Sequence, residues 1–260
     1  MLELYHWEPN AYFLKPLIAL EEKQISFVSH WFDPTAFEQC GSQFPHSVEI
    51  ALNLDHEGPV LQHKGALICG SYFMLEYIAE ALPGPELYPG GPLQRYGARA
   101  WGQRLATIGA DVCLLGSTRF LPPRFAGSEA RQVEATIARI EPLERRNAWR
   151  SILAGAYDEP ALAKVRERLR FALQRIESAL AASQWLGGAE YSVADIDAFA
   201  LLWTLPDLAP QIVNARSTPH ILLFIERMHA RAAVQRALAY SRNGRPQEAF
   251  VPGAEPSRWG

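Results

Sequence analysis

The chain has 260 residues, 48% of them hydrophobic and 20% charged, with 25 Lys or Arg against 28 Asp or Glu. That length holds one large domain or two small ones. A net charge of −3 without a Lys/Arg cluster argues against a nucleic-acid partner. No apolar run approaches the ~20 residues that span a bilayer, so no membrane span is expected. The opening M-L-E-L-Y-H-W-E-P has neither a basic n-region nor an apolar h-region, so no secretory leader is expected. Cys40, Cys69 and Cys113 are few, odd in number and widely spaced, which suits a reducing cytoplasm and offers no C-x-x-C pair.

Along the chain, L-E-L-Y-H at 2–6 alternates as a short strand does. Leu14, Leu17, Ile18 and Leu20 recur at helical spacing and predict a helix from about Phe13 to Lys23. I-S-F-V-S-H-W at 25–31 reads as a second strand, completing a βαβ unit with a parallel pair as its usual outcome. Asp33-Pro34 opens a turn, and a weakly patterned stretch with a connecting helix runs on to Asp55. The apolar runs Pro59–Gln62 and Ala66–Cys69, joined by His63-Lys64-Gly65, signal a hairpin, and a helix follows from Ser71 to about Ala81. Pro59 heads a strand, where a missing N–H is tolerated. On the residues alone a trans bond is the default, since only about 5–6% of X-Pro bonds in folded proteins are cis.

The Pro/Gly-dense segment 83–95 reads as a linker between domains at 1–82 and 96–242. Beyond it the periodicity predicts helices at about Tyr96–Gly116, Ala130–Ala154 and Pro160–Ala182, then at about 192–205 and 218–238. In the third, Leu169, Leu173, Ile176 and Leu180 share one face. Residues 243–260, rich in Pro and Gly, read as an extended C-terminal arm. Y-S-V-A-D-I at 191–196 has a capping box in Ser192 and Asp195, with Tyr191 and Ile196 at hydrophobic-staple positions. Its loss is expected to cost ~1 kcal/mol.

The order βαβ, then ββα, then an all-helical region resembles the glutathione S-transferase superfamily. The resemblance implies an α/β thioredoxin-like N-terminal domain and an all-α C-terminal domain. Four stretches carry a narrower likeness to bacterial glutathione-dependent β-etherases: L-E-L-Y-H-W-E-P-N-A-Y-F-L-K-P-L, W-F-D-P-T-A-F-E-Q, N-L-D-H-E-G-P-V-L-Q-H-K-G-A and Y-S-V-A-D-I-D-A-F-A. In that group the glutathione thiolate displaces an aryloxide from the carbon beside a ketone, cleaving β-aryl ethers of lignin-derived aromatics. The resemblance further implies glutathione as co-substrate, a cytoplasmic location, an aromatic small-molecule substrate, and a homo- or heterodimer with a related chain. It makes Gly58-Pro59 a cis bond whose backbone meets the cysteinyl part of glutathione, and Ser71 the holder of the γ-glutamyl carboxylate at a helix N-terminus.

Three positions depart from the family pattern. A thiol of pKa near 8.5 needs a donor to favour its thiolate, and the family places Asn and Ser where this chain has Tyr12 and Phe13. Phe13 cannot donate; Tyr12 is the candidate catalytic residue. The family's acid before the serine, which pairs with the glutathione ammonium, is replaced by Gly70. Losing such a bond weakens binding by roughly 10- to 100-fold, for ~1.5–3 kcal/mol. Gly58 stands where Val is usual. The expected function is therefore a β-etherase or a β-etherase subunit. The alternatives are a catalytically lapsed subunit supporting an active partner chain, and another glutathione-dependent isomerase or dehalogenase.

The 7 histidines, among them His6, His30, His46, His56 and His63, have no H-E-x-x-H spacing, so no metal is expected. Cys69 reads as a core residue, as do Trp7, Trp101, Trp149 and Trp203. Arg145, Arg146 and Arg150 read as a solvated helix face, and Lys15 as a surface residue of the first helix.

Overall fold

The computed structural model describes residues 1–36, 58–88, 90–140 and 143–252. Strand β1 (Leu2–His6) is central in its sheet. It pairs in parallel with β2 (Val28–Trp31), Glu3 opposite Val28 and His6 opposite Trp31. On its other side runs β3 (Val60–His63), antiparallel, with Tyr5 opposite Val60; β4 (Ala66–Cys69) follows, with Cys69 opposite Val60. The order is β2-β1-β3-β4. Lys64 and Gly65 turn the hairpin with φ of 53° and 86°, the doubly positive geometry whose twist suits paired strands.

Helix α1 (Ala11–Lys23) joins β1 to β2 and buries Leu14, Leu17, Ile18 and Leu20. It begins two residues before Phe13 and stops where Gln24 turns left-handed, its N–H reaching the carbonyls of Glu21 and Leu20. The expected strand at 25–31 is shorter: the register with β1 begins at Val28, and Ile25 and Phe27 instead pack on the core. The connecting helix expected before Asp55, with Cys40, His46 and His56, lies outside the described residues. Helix α2 (Ser71–Ala81) leaves β4 after Gly70 alone.

The helical region opens with α3 (Pro92–Arg124), which starts inside the stretch expected as linker. Proline is suited to a first helical position, and the Gln94 side chain accepts from the Gly91 N–H at 3.1 Å. The helix expected over 130–154 is two helices, α4 (Ala130–Ile137) and α5 (Leu143–Leu153), with Pro142 in the intervening sequence. Then come α6 (Glu159–Ala182), α7 (Val193–Leu202) and α8 (Leu205–Leu208). The helix expected over 218–238 also divides, into α9 (Pro219–His229) and α10 (Ala232–Leu238). The break frees Arg231 to bind Glu22 of α1 in two bonds of 2.6 and 3.0 Å, with its guanidinium 3.6 Å from the Tyr191 ring centroid.

All ten residues of α7 are buried, so this helix packs on every side, against α1, α3 and α9 among others. One core joins α1, α2, α3, α6, α7 and α9; a second is aromatic and lies around Trp7, Phe13, Phe32 and Trp149. Two surface expectations are corrected by this packing. Lys15 faces α7 and is 4% exposed, because its ammonium meets the Asp197 carboxylate at 2.6 Å. Arg145 is buried on the inner side of α5, whereas Arg150 reaches Glu134 across the surface. The expected extended arm makes a 3-10 turn at Pro246–Glu248, after which Ala249, Phe250 and Val251 are buried. Among the described residues, no helix is long and apolar enough to cross a membrane, and no group of three His, Cys, Asp or Glu could hold a metal ion.

Candidate functional site at the head of the first helix

The register explains why distant residues converge. Tyr5, Val60 and Cys69 lie side by side across β1, β3 and β4, and His6 lies beside Trp31 of β2. One end of the sheet therefore carries the segment leading to α1, the Gly58-Pro59 entry to β3, the Gly70-Ser71 exit from β4, and Phe32. Gly58-Pro59 is cis, in place of the trans bond that proline takes by default.

Phe13 is buried and meets Trp7 and Phe32 edge-on, with centroids 6.1 and 6.0 Å apart. These rings press on Gly58, which is itself buried. Its φ is +81°, and a Cβ there would stand 3.1 Å from Phe32 and 3.4 Å from Phe13. Two of the departures read in the sequence are thus one packing event: Phe13 and Phe32 fill the space a branched residue at 58 would need. Gly58→Val is expected to lower stability by about 1–3 kcal/mol from the backbone conformation alone. Urea unfolding checks this; an unchanged midpoint would show that the segment re-forms around the new side chain.

Tyr12 is half-buried, its hydroxyl against α3 at Gly109, where an added Cβ would lie 2.8 Å from that oxygen. The Lys15 ammonium stands 5.0 Å from the Tyr12 ring centroid. Helix α3 receives three aromatic side chains at glycines seven apart: Tyr72 at Gly102, Tyr12 at Gly109 and Phe250 at Gly116. Seven residues make about two turns, so all three sit along one face. Ser71 is buried as the first residue of α2, after Gly70 at φ +80°, and no side chain caps this helix. Its first N–H groups and the positive end of its dipole face the same sheet end.

Two polar residues of this region escaped the sequence reading. Glu8 is fully buried: its carboxylate accepts from Trp31 Nε1 at 3.2 Å, Ser241 Oγ at 2.5 Å, and the N–H groups of Arg242 and Asn243 at 3.0 and 3.2 Å. Asn10 donates to the Ala249 carbonyl and accepts from Trp203 Nε1, both at 3.0 Å. Only the Asn at a helix start was visible as a signal; their partners lie more than 190 positions away, apart from Trp31. His6 is buried between the Trp7 carbonyl and Ser29 Oγ, and burial holds its pKa below the ordinary value. Trp7 and Trp149 are core residues, and Cys69 is half-buried.

Residues 129–232 match the family described as glutathione S-transferase, C-terminal domain. The chain is 27% identical over 247 residues to Protein LigF of Sphingobium sp. (strain NBRC 103272 / SYK-6), covering 90% of this chain and 91% of that one. The crystal structure of beta-etherase LigF from Sphingobium sp. strain SYK-6 superposes with a TM-score of 0.83 at 26% identity, over 92% of this chain and 99% of that one. Glutathione transferase F7 from Populus trichocarpa shares the fold, with a TM-score of 0.68 at 20% identity over 92% of this chain and 98% of that one. A Burkholderia graminis glutathione transferase, solved with two glutathione molecules bound per subunit, does so with a TM-score of 0.67 at 22% identity, over 94% and 89%. The four-stranded sheet with its helical partner domain, the matched C-terminal domain and the end-to-end likeness to LigF give this chain the glutathione S-transferase fold, with a C-terminal domain of that family at residues 129–232.

Proposed function

We propose that this chain is a subunit of a glutathione-dependent enzyme that cleaves β-aryl ethers, and that it depends on a catalytically complete partner of the same fold. The likeness to LigF supports the reaction class. The observation that carries the dependence is the burial of Gly58 beneath Phe13 and Phe32, where family members offer backbone to the cysteinyl part of glutathione.

The residues present suit only part of glutathione. Ser71 and the free N–H groups opening α2 suit a carboxylate. Gly70 brings no anion for the ammonium, and Phe13 brings no donor for the thiol. A thiol without such a donor stays mostly protonated at neutral pH, so displacement of an aryloxide would be slow here. A fold-complete partner supplies that thiolate, while this chain stabilises it as a dimer.

A second reading, a self-sufficient enzyme using Tyr12, is favoured by the half-buried Tyr12 hydroxyl at the α1–α3 crossing. Passage over immobilised glutathione and assay on a model β-aryl ether separate the two. Weak retention, no turnover alone, and turnover on adding a paralogue is the expected result. Clear retention with turnover by the purified chain, abolished by Tyr12→Phe, would establish the second reading instead.

A further inference from the structure

Between α3, α5, α6 and α8 of the helical domain lies a cavity of about 230 Å³. Its walls are aliphatic: Leu115 and Pro122 of α3, Ile152 of α5, Leu162 of α6 and Leu208 of α8. Gly155, exposed just past α5, stands at its edge, where an added Cβ would meet nothing within 4 Å, so the cavity opens to solvent there. None of its lining residues belongs to the sheet end where Tyr12, Gly58 and Ser71 gather. On α3, Leu115 points about 100° round the helix from Gly116, the glycine against which Phe250 packs.

Two cations line this apolar space. The Arg119 guanidinium donates to the Asp207 carbonyl at 2.7 Å and forms no ion pair among the described residues. An arginine head carries five N–H donors, so most of its fork is left for a further acceptor. Arg166 is the more enclosed, its side chain 18% exposed. It pairs with Glu159, seven residues back on α6, whose side chain is 75% exposed and is not part of the lining. Among the described residues no Asp or Glu lines the cavity. Two guanidiniums against aliphatic walls, with no acid between them, favour an anion that carries a hydrocarbon body. The planar fork of arginine matches a carboxylate. Sites for drug-sized ligands run to ~300–1,000 Å³, so this one suits a smaller body.

We propose that this cavity binds a small monocarboxylate with a hydrocarbon tail. Arg119 and Arg166 hold the carboxylate, and the tail lies against Leu115, Ile152 and Leu162. The site goes beyond the proposed function and does not depend on it.

Calorimetric titration of the full chain with octanoate at low ionic strength tests this, beside octan-1-ol as its uncharged counterpart. The variants are Arg119→Gln, Arg166→Gln and Leu162→Trp, each checked for cooperative urea unfolding. The expected result is saturable 1:1 binding of octanoate by the parent chain. Affinity should fall at least ~10-fold for octan-1-ol, and for octanoate with either arginine variant, because each change removes a charged hydrogen bond. Leu162→Trp, which fills the cavity, should abolish binding. Arg119 is exposed on α3, so Arg119→Gln reads the charge without disturbing the core. No saturable binding by the parent chain would overturn the site. So would octan-1-ol binding as tightly as octanoate, or parental affinity in all three variants, which would place octanoate elsewhere.

Discussion

Lys15→Ala is expected to lower the unfolding free energy by about 3–5 kcal/mol, the cost of leaving one partner of a buried ion pair uncompensated. Lys15 and Asp197 side chains are 5% and 2% exposed, and the Nζ–Oδ1 distance is 2.6 Å. The approach lies outside hydrogen-bond geometry, so charge holds the pair. Among the described residues no other cation pairs with Asp197. The two residues lie on α1 and α7, so the pair clamps the sheet domain to the central helix of the other domain. Urea unfolding of Lys15→Ala checks the loss, and Lys15→Met, Asp197→Leu and the double variant Lys15→Met/Asp197→Leu give the cycle. The double variant should unfold much closer to the parent than either single one, because it removes both charges together. Additive losses would show that the ion pair is not what is being broken.

Asp195→Ala is expected to cost about 2–4 kcal/mol, more than the ~1 kcal/mol of an ordinary cap. The capping box read at 192–195 is present, with Ser192 Oγ accepting from the Ala194 N–H at 3.3 Å and Asp195 Oδ2 from the Ser192 N–H at 2.9 Å. The other oxygen, Oδ1, accepts from the Leu186 N–H at 2.8 Å. Removing the carboxylate strands two buried backbone donors rather than one, and unties the turn before α7 from its first residues. Asp195→Asn keeps one acceptor and should lose about half as much.

The pH dependence gives an independent check. Burial raises the Asp195 pKa to about 6, against the lowering effect of the Leu186 and Ser192 N–H groups. The folded chain then holds more protons than the unfolded one between the ordinary carboxylate value and about pH 6. Its contribution to stability is complete below that window and is lost as pH rises through 6. Asp195→Asn should remove this component, seen as a flatter midpoint-against-pH curve over that range.

Much of the frame was legible because short-range rules determine it. The strand at 2–6, the hairpin with its Lys64-Gly65 turn, the helix opening at Ser71, the face of Leu169, Leu173, Ile176 and Leu180, and the Ser192–Asp195 cap all follow from residues a few positions apart. What failed had long-range causes. No glycine or proline marks the break at Arg231; the pull comes from Glu22 and Tyr191, on other elements. Lys15 looked like a surface lysine because its partner lies 182 positions on.

The site divides along the same line. The sequence by itself determined that Phe13 donates no proton, that Gly70 brings no charge, and that Ser71 begins a helix, because these are properties of residue type and local spacing. Only the tertiary structure decided that Phe13 and Phe32 occupy the space beside Gly58, that Glu8 gathers the chain at 241–243, and that Phe250 packs in the core against Gly116. Close packing of rings and the pairing of a buried carboxylate depend on which residues the fold brings within 4 Å, and that is set by topology rather than by neighbours in the chain.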